Sequence, residues 1–229
     1  FLFYLFSLTH GELGSEFSLQ QALKYGTLPE CWSFGSDADR ERFLVSYVTT
    51  YLQEEIIAEQ IIRKQPPFRR FLEIAAVNNT EILNYSNIAK DILSDSKTVA
   101  GYYEILEDTL IGFRLNSHHH SIRKRQKLAP KFYFFDTGVA RALSGRVKDS
   151  LREGTFEYGQ QFESFIVTEI YRQLTYEEVQ FKLSYIRVDD NQEIDLIIEK
   201  SPDETILIEI KSADSVDERA AQNLKILGS

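Results

Sequence analysis

Methionine is missing from the 229 residues, position 1 included, and cysteine and tryptophan occur once each, as Cys31 and Trp32. A chain without an initiator Met is expected to be a fragment, so a motif absent from it need not be absent from the whole protein. One cysteine excludes a disulfide framework and an all-cysteine zinc site, and it fits a reducing cytoplasm. With no histidine following closely, Cys31 reads as a small buried apolar residue and not as a nucleophile. No stretch reaches ~18 uncharged apolar residues, which excludes a membrane-spanning helix. The opening FLFYLFSL is too short and has no basic segment before it, so it is not expected to be a signal peptide as it stands. Internal repeats and low-complexity tracts are also lacking.

What is present is a globular composition: 43% apolar and 27% charged residues, with 16 Phe and 12 Tyr, ample for a core. The length suits one large domain or two small ones. The net charge of −9 is unevenly spread. Residues 1–108 carry −7, residues 109–148 carry +8 and residues 149–229 carry −10. The basic middle therefore says more about partners than the acidic whole.

Helix signals dominate the first part. SLQQALKYG predicts a helix between Ser18 as N-cap and Gly26 as stop. Residues 39–63 carry a helical apolar stripe of Phe43, Val48, Leu52, Ile56 and Ile62, ended by Pro66-Pro67. A second helix follows over 68–77. Ser86 is expected to cap a short helix over 87–93. After a turn at Ser94–Ser96, a longer helix over 97–111 presents Val99, Tyr103, Leu106 and Leu110 on one face. This rhythm fits a helix-turn-helix. The β-prone runs 113–117 and 131–135, joined by the basic loop HHHSIRKRQKLAP, fit a wing, and a short helix covers 136–144.

From residue 149 the order becomes α-β-β-β-α. An amphipathic helix over 155–174 turns Phe162, Phe165, Ile166, Ile170 and Leu174 inward. Strands are expected over 182–188, 192–200 and 205–212, with a turn at 201–204 and a last helix over 217–227.

Candidate chemistry lies in the last two strands. Glu209 and Lys211 are two apart, so they share a strand face. Symmetric pairing about Pro202 places Asp195 opposite Glu209; a shift of two residues places it opposite Lys211. Either arrangement gathers two carboxylates and an ammonium on one face. Such a group suits Mg²⁺, which takes one or two carboxylates plus phosphate oxygens and can activate a water against a phosphodiester. Lys211 is suited to orienting that water or stabilising the pentacovalent state. Glu163, on the preceding helix, is a candidate ligand or base, with Glu157 and Glu169 as competitors and Asp190 as a minor alternative ligand.

The series Asp195…Glu209-Ile210-Lys211, with Glu163 upstream in GQQFESFIVTEI and the order α-β-β-β-α, resembles the PD-(D/E)XK nuclease superfamily. More narrowly, the chain resembles the C-terminal region of prokaryotic AAA+-type ATPases that carry a C-terminal domain of unknown function. The stretches that carry this resemblance are LQQALKYGTLPE, YVTTYLQEEI, PKFYFFDTGVARALSG, FESFIVTEI, QEIDLII and IEIKSAD. The resemblance implies an α+β chain: a remnant of an ATPase lid or linker over 1–36, a helical winged-helix-like domain over 37–148, and an α/β restriction-endonuclease-like domain over 149–229. It implies Asp195, Glu209, Lys211 and Glu163 as catalytic residues, with Asp195, Glu209 and Glu163 holding Mg²⁺. It further implies the ATPase domain of the intact protein as partner, with oligomers possible. Two departures stand out. There is no G-x-x-x-x-G-K-[ST] loop, so ATP belongs only to the intact protein. The chain also stops where the nuclease core adds a further strand.

Arg123, Lys124, Arg125, Lys127 and Lys131 fall within nine residues with no acid among them, and they are candidates for nucleic-acid phosphate contacts. The alternatives are a solvated loop or a surface that docks on the acidic flanks. His118–His120 read as ordinary loop histidines, because adjacent residues do not converge on one tetrahedral ion. The leading expectation is a Mg²⁺-dependent nuclease-like domain joined to a nucleic-acid-binding winged helix. The alternative is an inactive nuclease-like fold serving as a DNA- or protein-binding module for the ATPase.

Overall fold

Short polar side chains that can accept the orphan amides of a first turn set most helix starts. The computed structural model describes residues 5–52, 65–118, 128–178, 180–189, 192–201, 204–213 and 224. Thr9 and Glu12 form a capping box on α1 (His10–Leu13). Ser18 caps α2 (Leu19–Tyr25), which stops at Gly26 with φ +74°, a left-handed conformation that glycine tolerates. Then come α3 (Pro29–Ser33) and α4 (Asp37–Ser46), which runs on as a π-helical segment over Tyr47–Leu52. Next are α5 (Gln65–Val77), α6 (Tyr85–Asp91) and α7 (Ser96–Asp108), the last capped by Asp95. Asp136 caps α8 (Thr137–Leu143) and Thr155 caps the long α9 (Phe156–Tyr176). The strands are β1 (Gly112–Ser117), β2 (Lys131–Phe134), β3 (Lys182–Asp189), β4 (Gln192–Ser201) and β5 (Glu204–Ile208). The chain is thus α+β, with nine α-helices and five strands among the described residues.

Several details differ from the sequence expectation. Pro66 and Pro67 are the second and third residues of α5 (Gln65–Val77), and the end of the helix before them falls on residues outside the described ones. Asn84, not Ser86, caps α6, because its side chain accepts from the Asn87 amide; Ser86 lies inside the helix with its hydroxyl 3.3 Å from that of Ser96. Leu110 is exposed: α7 ends at Asp108, and Leu110 turns the chain with φ +59°. The helix expected over 217–227, apart from Leu224, and the part of the 39–63 helix beyond Leu52 lie outside the described residues.

The strands read as a wing do not stand apart. All five strands form one mixed sheet in the order β2-β1-β3-β4-β5. β1 is antiparallel to β2 and parallel to β3, through Asn116 opposite Ser184 and Ser117 opposite Tyr185. β2 serves two cores by its alternation. Phe132 and Phe134 join the helical core of Phe68, Phe71, Leu72, Tyr103 and Leu106. Tyr133 faces the other way, onto Val167 of α9 and onto Leu115, Tyr185, Leu196 and Ile198 of the sheet.

The start of the chain is tied to this frame by a buried arginine. One terminal nitrogen of Arg172, on α9, donates to the Ser7 carbonyl (3.0 Å), the Ser7 hydroxyl (2.7 Å), the Leu8 carbonyl (3.2 Å) and the Thr27 hydroxyl (2.9 Å). Its other terminal nitrogen pairs with Glu169 at 3.0 Å. Glu169 in turn accepts from the His10 amide at 2.9 Å, and Asp136 accepts from the Thr27 amide at 2.7 Å. α8 approaches α2 so closely that a Cβ on Gly138 would lie 2.1 Å from the Tyr25 carbonyl oxygen. Among the described residues, no helix is long and apolar enough to cross a membrane.

Candidate functional site

The β4–β5 hairpin sets the site. Its ladder pairs Leu196 with Ile208, Ile197 with Leu207, Ile198 with Ile206 and Glu199 with Thr205. The same register, carried one pair past the ladder, puts Asp195 opposite Glu209. Backbone and side chain meet there, because the Ile210 amide donates to Asp195 Oδ2 at 2.6 Å. Lys211 Nζ lies 2.6 Å from Glu209 Oε1 and 3.9 Å from Asp195 Oδ2, so one ammonium joins both carboxylates. Both acids are largely buried, whereas the Lys211 side chain is 43% exposed and open to a ligand.

A second ammonium comes from β2. Lys131 and Tyr133, two apart, both face α9. Lys131 Nζ sits 3.1 Å from Glu163 Oε1 and 2.7 Å from Glu193 Oε1. The Tyr133 hydroxyl donates to the same Glu163 oxygen at 2.7 Å. The Lys131 ammonium also lies 5.5 Å from the centroid of the Tyr185 ring, a cation–π distance. Lys131 must therefore be moved from the basic loop to the carboxylate cluster: its side chain is 5% exposed and its charge is used internally, which leaves none of it for a phosphate backbone. Arg123, Lys124, Arg125 and Lys127 lie outside the described residues.

The competitors of Glu163 on α9 are engaged elsewhere. Glu157 pairs with the buried Arg141, and Glu169 with Arg172. Glu193 and Tyr133 escaped the sequence reading. Glu193 had a signal, being two residues before Asp195 and so on the same face of β4. His118 stands at the far side of β3, with Nδ1 3.8 Å from Glu199 Oε2 and 3.5 Å from the Ser184 hydroxyl. Cys31 is fully buried, and burial pushes its thiol far above the ordinary range, which suits a core residue.

Burial and neighbouring charges shift Glu163, Glu209, Lys211 and Lys131. Burial raises the Glu163 carboxyl and the Asp195 charge adds to the rise, while Lys131 and the Tyr133 hydroxyl oppose it. Burial likewise raises Glu209, with Lys211 opposing and Asp195 reinforcing. Burial acts to lower Lys211, but Glu209 and Asp195 outweigh it and hold the ammonium above its usual value. Lys131 behaves in the same way against Glu163 and Glu193.

A carboxyl raised in the folded state binds its proton more tightly there than in the unfolded chain. Stability contributed by Glu209 is therefore full at low pH and declines as pH rises from about 4.3 through the folded value. Glu209→Gln keeps the shape and removes the charge. It is expected to flatten the decline, so that its stability relative to the wild type is higher at about pH 8 than at about pH 4. Urea denaturation at both pH values checks this; a relative stability no higher at the upper pH than at the lower would contradict it.

The donor set fits a hard cation in part. Asp195 and Glu209 offer only oxygens, and Glu209 Oε2 is buried with no hydrogen-bond partner among the described residues. Mg²⁺ needs just one or two carboxylates when substrate oxygens complete its shell. Among the described residues, though, no three His, Cys, Asp or Glu side chains converge tightly enough to hold an ion by themselves.

Residues 16–150, more than half of the chain, match the family described as Domain of unknown function (DUF8612), and the chain belongs to that family. Residues 158–229 match a second, Domain of unknown function (DUF4143), a domain found in the C-terminal regions of AAA-ATPase-associated proteins. Two curated relatives are similar: Uncharacterized protein Mb2031c of Mycobacterium bovis and Uncharacterized protein Rv2008c of Mycobacterium tuberculosis. Each is 26% identical over 198 residues, covering 86% of this chain and 44% of the relative. The chain thus spans less than half the length of the curated relatives it matches. No solved structure matches it significantly.

Proposed function

We propose that the chain carries a metal-dependent phosphodiesterase site of the PD-(D/E)XK type, acting on nucleic acid within a larger ATPase-associated protein. One observation carries this reading. Asp195 and Glu209 lie opposite each other at the end of the β4–β5 ladder, with Lys211 joining them and a buried, unpartnered oxygen left on Glu209. Asp195 and Glu209 would hold Mg²⁺, with Glu163 nearby. When bound, the ion would lower the pKa of a water and neutralise charge on the phosphate. Lys211, half-exposed at the rim, is placed to stabilise charge on the phosphate as the P–O bond to the leaving group breaks. Glu163 is suited to hold a proton, since burial raises it. The winged-helix-like arrangement of α6, α7, β1 and β2, and phosphate contacts from Arg123, Lys124, Arg125 and Lys127, belong to the same proposal.

A second reading is an inactive nuclease-like fold that binds nucleic acid or protein. It is favoured by Lys131 and Lys211, which already neutralise the carboxylates that a cation would need. Calorimetry separates the two. Mn²⁺, as a stand-in for Mg²⁺, is expected to bind the wild type, and Asp195→Asn is expected to weaken it tenfold or more, about 1.4 kcal/mol, by removing a charged ligand of unchanged shape. Equal isotherms for wild type and variant would favour the inactive fold.

A further inference from the structure

The two family regions meet in the carboxylate cluster. Lys131 belongs to the region 16–150, whereas Glu163, Glu193, Asp195 and Glu209 all belong to 158–229. The Lys131 ammonium is nearly sealed from solvent, bridges Glu163 on α9 and Glu193 on β4, and approaches the Tyr185 ring on β3. Its placement follows from β2: Phe132 and Phe134 anchor the strand in the helical core, so Lys131 and Tyr133 are forced toward α9. Both of them bond the same oxygen of Glu163. A long cation buried this deeply costs desolvation, which close carboxylates offset.

We infer that the site is composite and that Lys131 is its resident counter-ion: a positioning residue that fixes Glu163 and sets the cluster's affinity for divalent cations. The inference rests on the phosphodiesterase reading for the identity of the ion's ligands. Its physical basis is separate. Four carboxylates face two ammoniums and, at Glu193, the Arg187 guanidinium at 3.7 Å. Lys211 is half-exposed and pairs with Asp195 and Glu209, whereas Lys131 is buried and holds the other two acids. Each ammonium competes with an incoming cation for the same negative charge, and the competition is strong where solvent is excluded. Removing the Lys131 charge leaves Glu163 with the Tyr133 hydroxyl and Glu193 with Arg187 at 3.7 Å, takes the ammonium from both, and deepens the negative potential at Asp195. Lys131→Arg keeps the charge; Lys131→Met removes it; Lys131→Gln removes it but keeps a second hydrogen-bond donor for Glu163 beside the Tyr133 hydroxyl.

The experiment is Mn²⁺ calorimetry on the intact protein, with Asp195→Asn as control and circular dichroism to establish folding of each variant. The expected result is binding at least tenfold tighter in the folded neutral variants than in wild type, and within about threefold of wild type in Lys131→Arg. A residue with only a packing role would shift stability and leave affinity in the folded variants unchanged. Wild-type binding that depends on Asp195 but is no tighter in Lys131→Gln and Lys131→Met would overturn the Lys131 inference alone. No binding in wild type and in the neutral variants would overturn both this inference and the metal-site reading. Binding that appears only when the Lys131 charge is removed would support the counter-ion role in its strongest form.

Discussion

Arg172→Met is expected to cost about 3–5 kcal/mol of folding stability, the range for breaking a buried ion pair from one side. The guanidinium is 4% exposed and makes five contacts, to Ser7, Leu8, Thr27 and Glu169. Its removal leaves the Glu169 carboxylate buried with the His10 amide and the Gln173 amide as remaining donors. It also strands the Ser7 carbonyl in a place water does not reach. Asp136, whose charge acts on Arg172, loses a compensating cation as well. Native stability is typically 5–15 kcal/mol, so the variant should retain little of it. Arg172→Lys is not expected to rescue, because one ammonium cannot reproduce a planar fork that spans three chain segments. Urea denaturation followed by circular dichroism checks both variants. A midpoint shift equivalent to less than about 1 kcal/mol in Arg172→Met would contradict the clasp.

Features with a local cause were legible in the sequence. Ser18 caps a helix as its place directly before a helical run implies, and Asp136 and Thr155, read as the first residues of their helices, are the caps just before them. A short polar turn between two apolar strands left two hairpin registers open, and the ladder from Leu196–Ile208 to Glu199–Thr205 takes the symmetric one. Features that depend on distant pairing were not legible. The parallel contact of β1 with β3 joins segments nearly 70 residues apart, and no local pattern encodes it. Lys131 was misplaced for the same reason. In sequence it ends a basic run; in space the apolar side chains of Phe132 and Phe134 fix which way it points, and the acids that receive it come from α9 and β4. Asn84 was passed over for Ser86 because both are good caps and the choice rests on which one frees its backbone from the helix.

Lys211→Ala is expected to lower cleavage about 10²–10³-fold, the usual loss for one group that stabilises transition-state charge. Lys211 is not an oxygen donor, and in the free protein it competes with cations for Glu209 and Asp195. Divalent-ion affinity should therefore be retained or modestly strengthened. Asp195→Asn should lose both cleavage and ion affinity. The contrast between the two variants separates a role in the reaction from a role in ligation. A Lys211→Ala protein that is folded and cleaves at the wild-type rate would remove Lys211 from the chemistry.

The most direct measurement is cleavage of labelled duplex DNA, single-stranded DNA and RNA, in Mg²⁺ or Mn²⁺ and in chelator, by the folded wild type and Asp195→Asn. The Asp195–Glu209–Lys211 account predicts hydrolysis of at least one substrate by the wild type with metal, none in chelator and none by Asp195→Asn. Cleavage that persists in Asp195→Asn, or no metal-dependent cleavage of any of the three by the folded wild type, would contradict it.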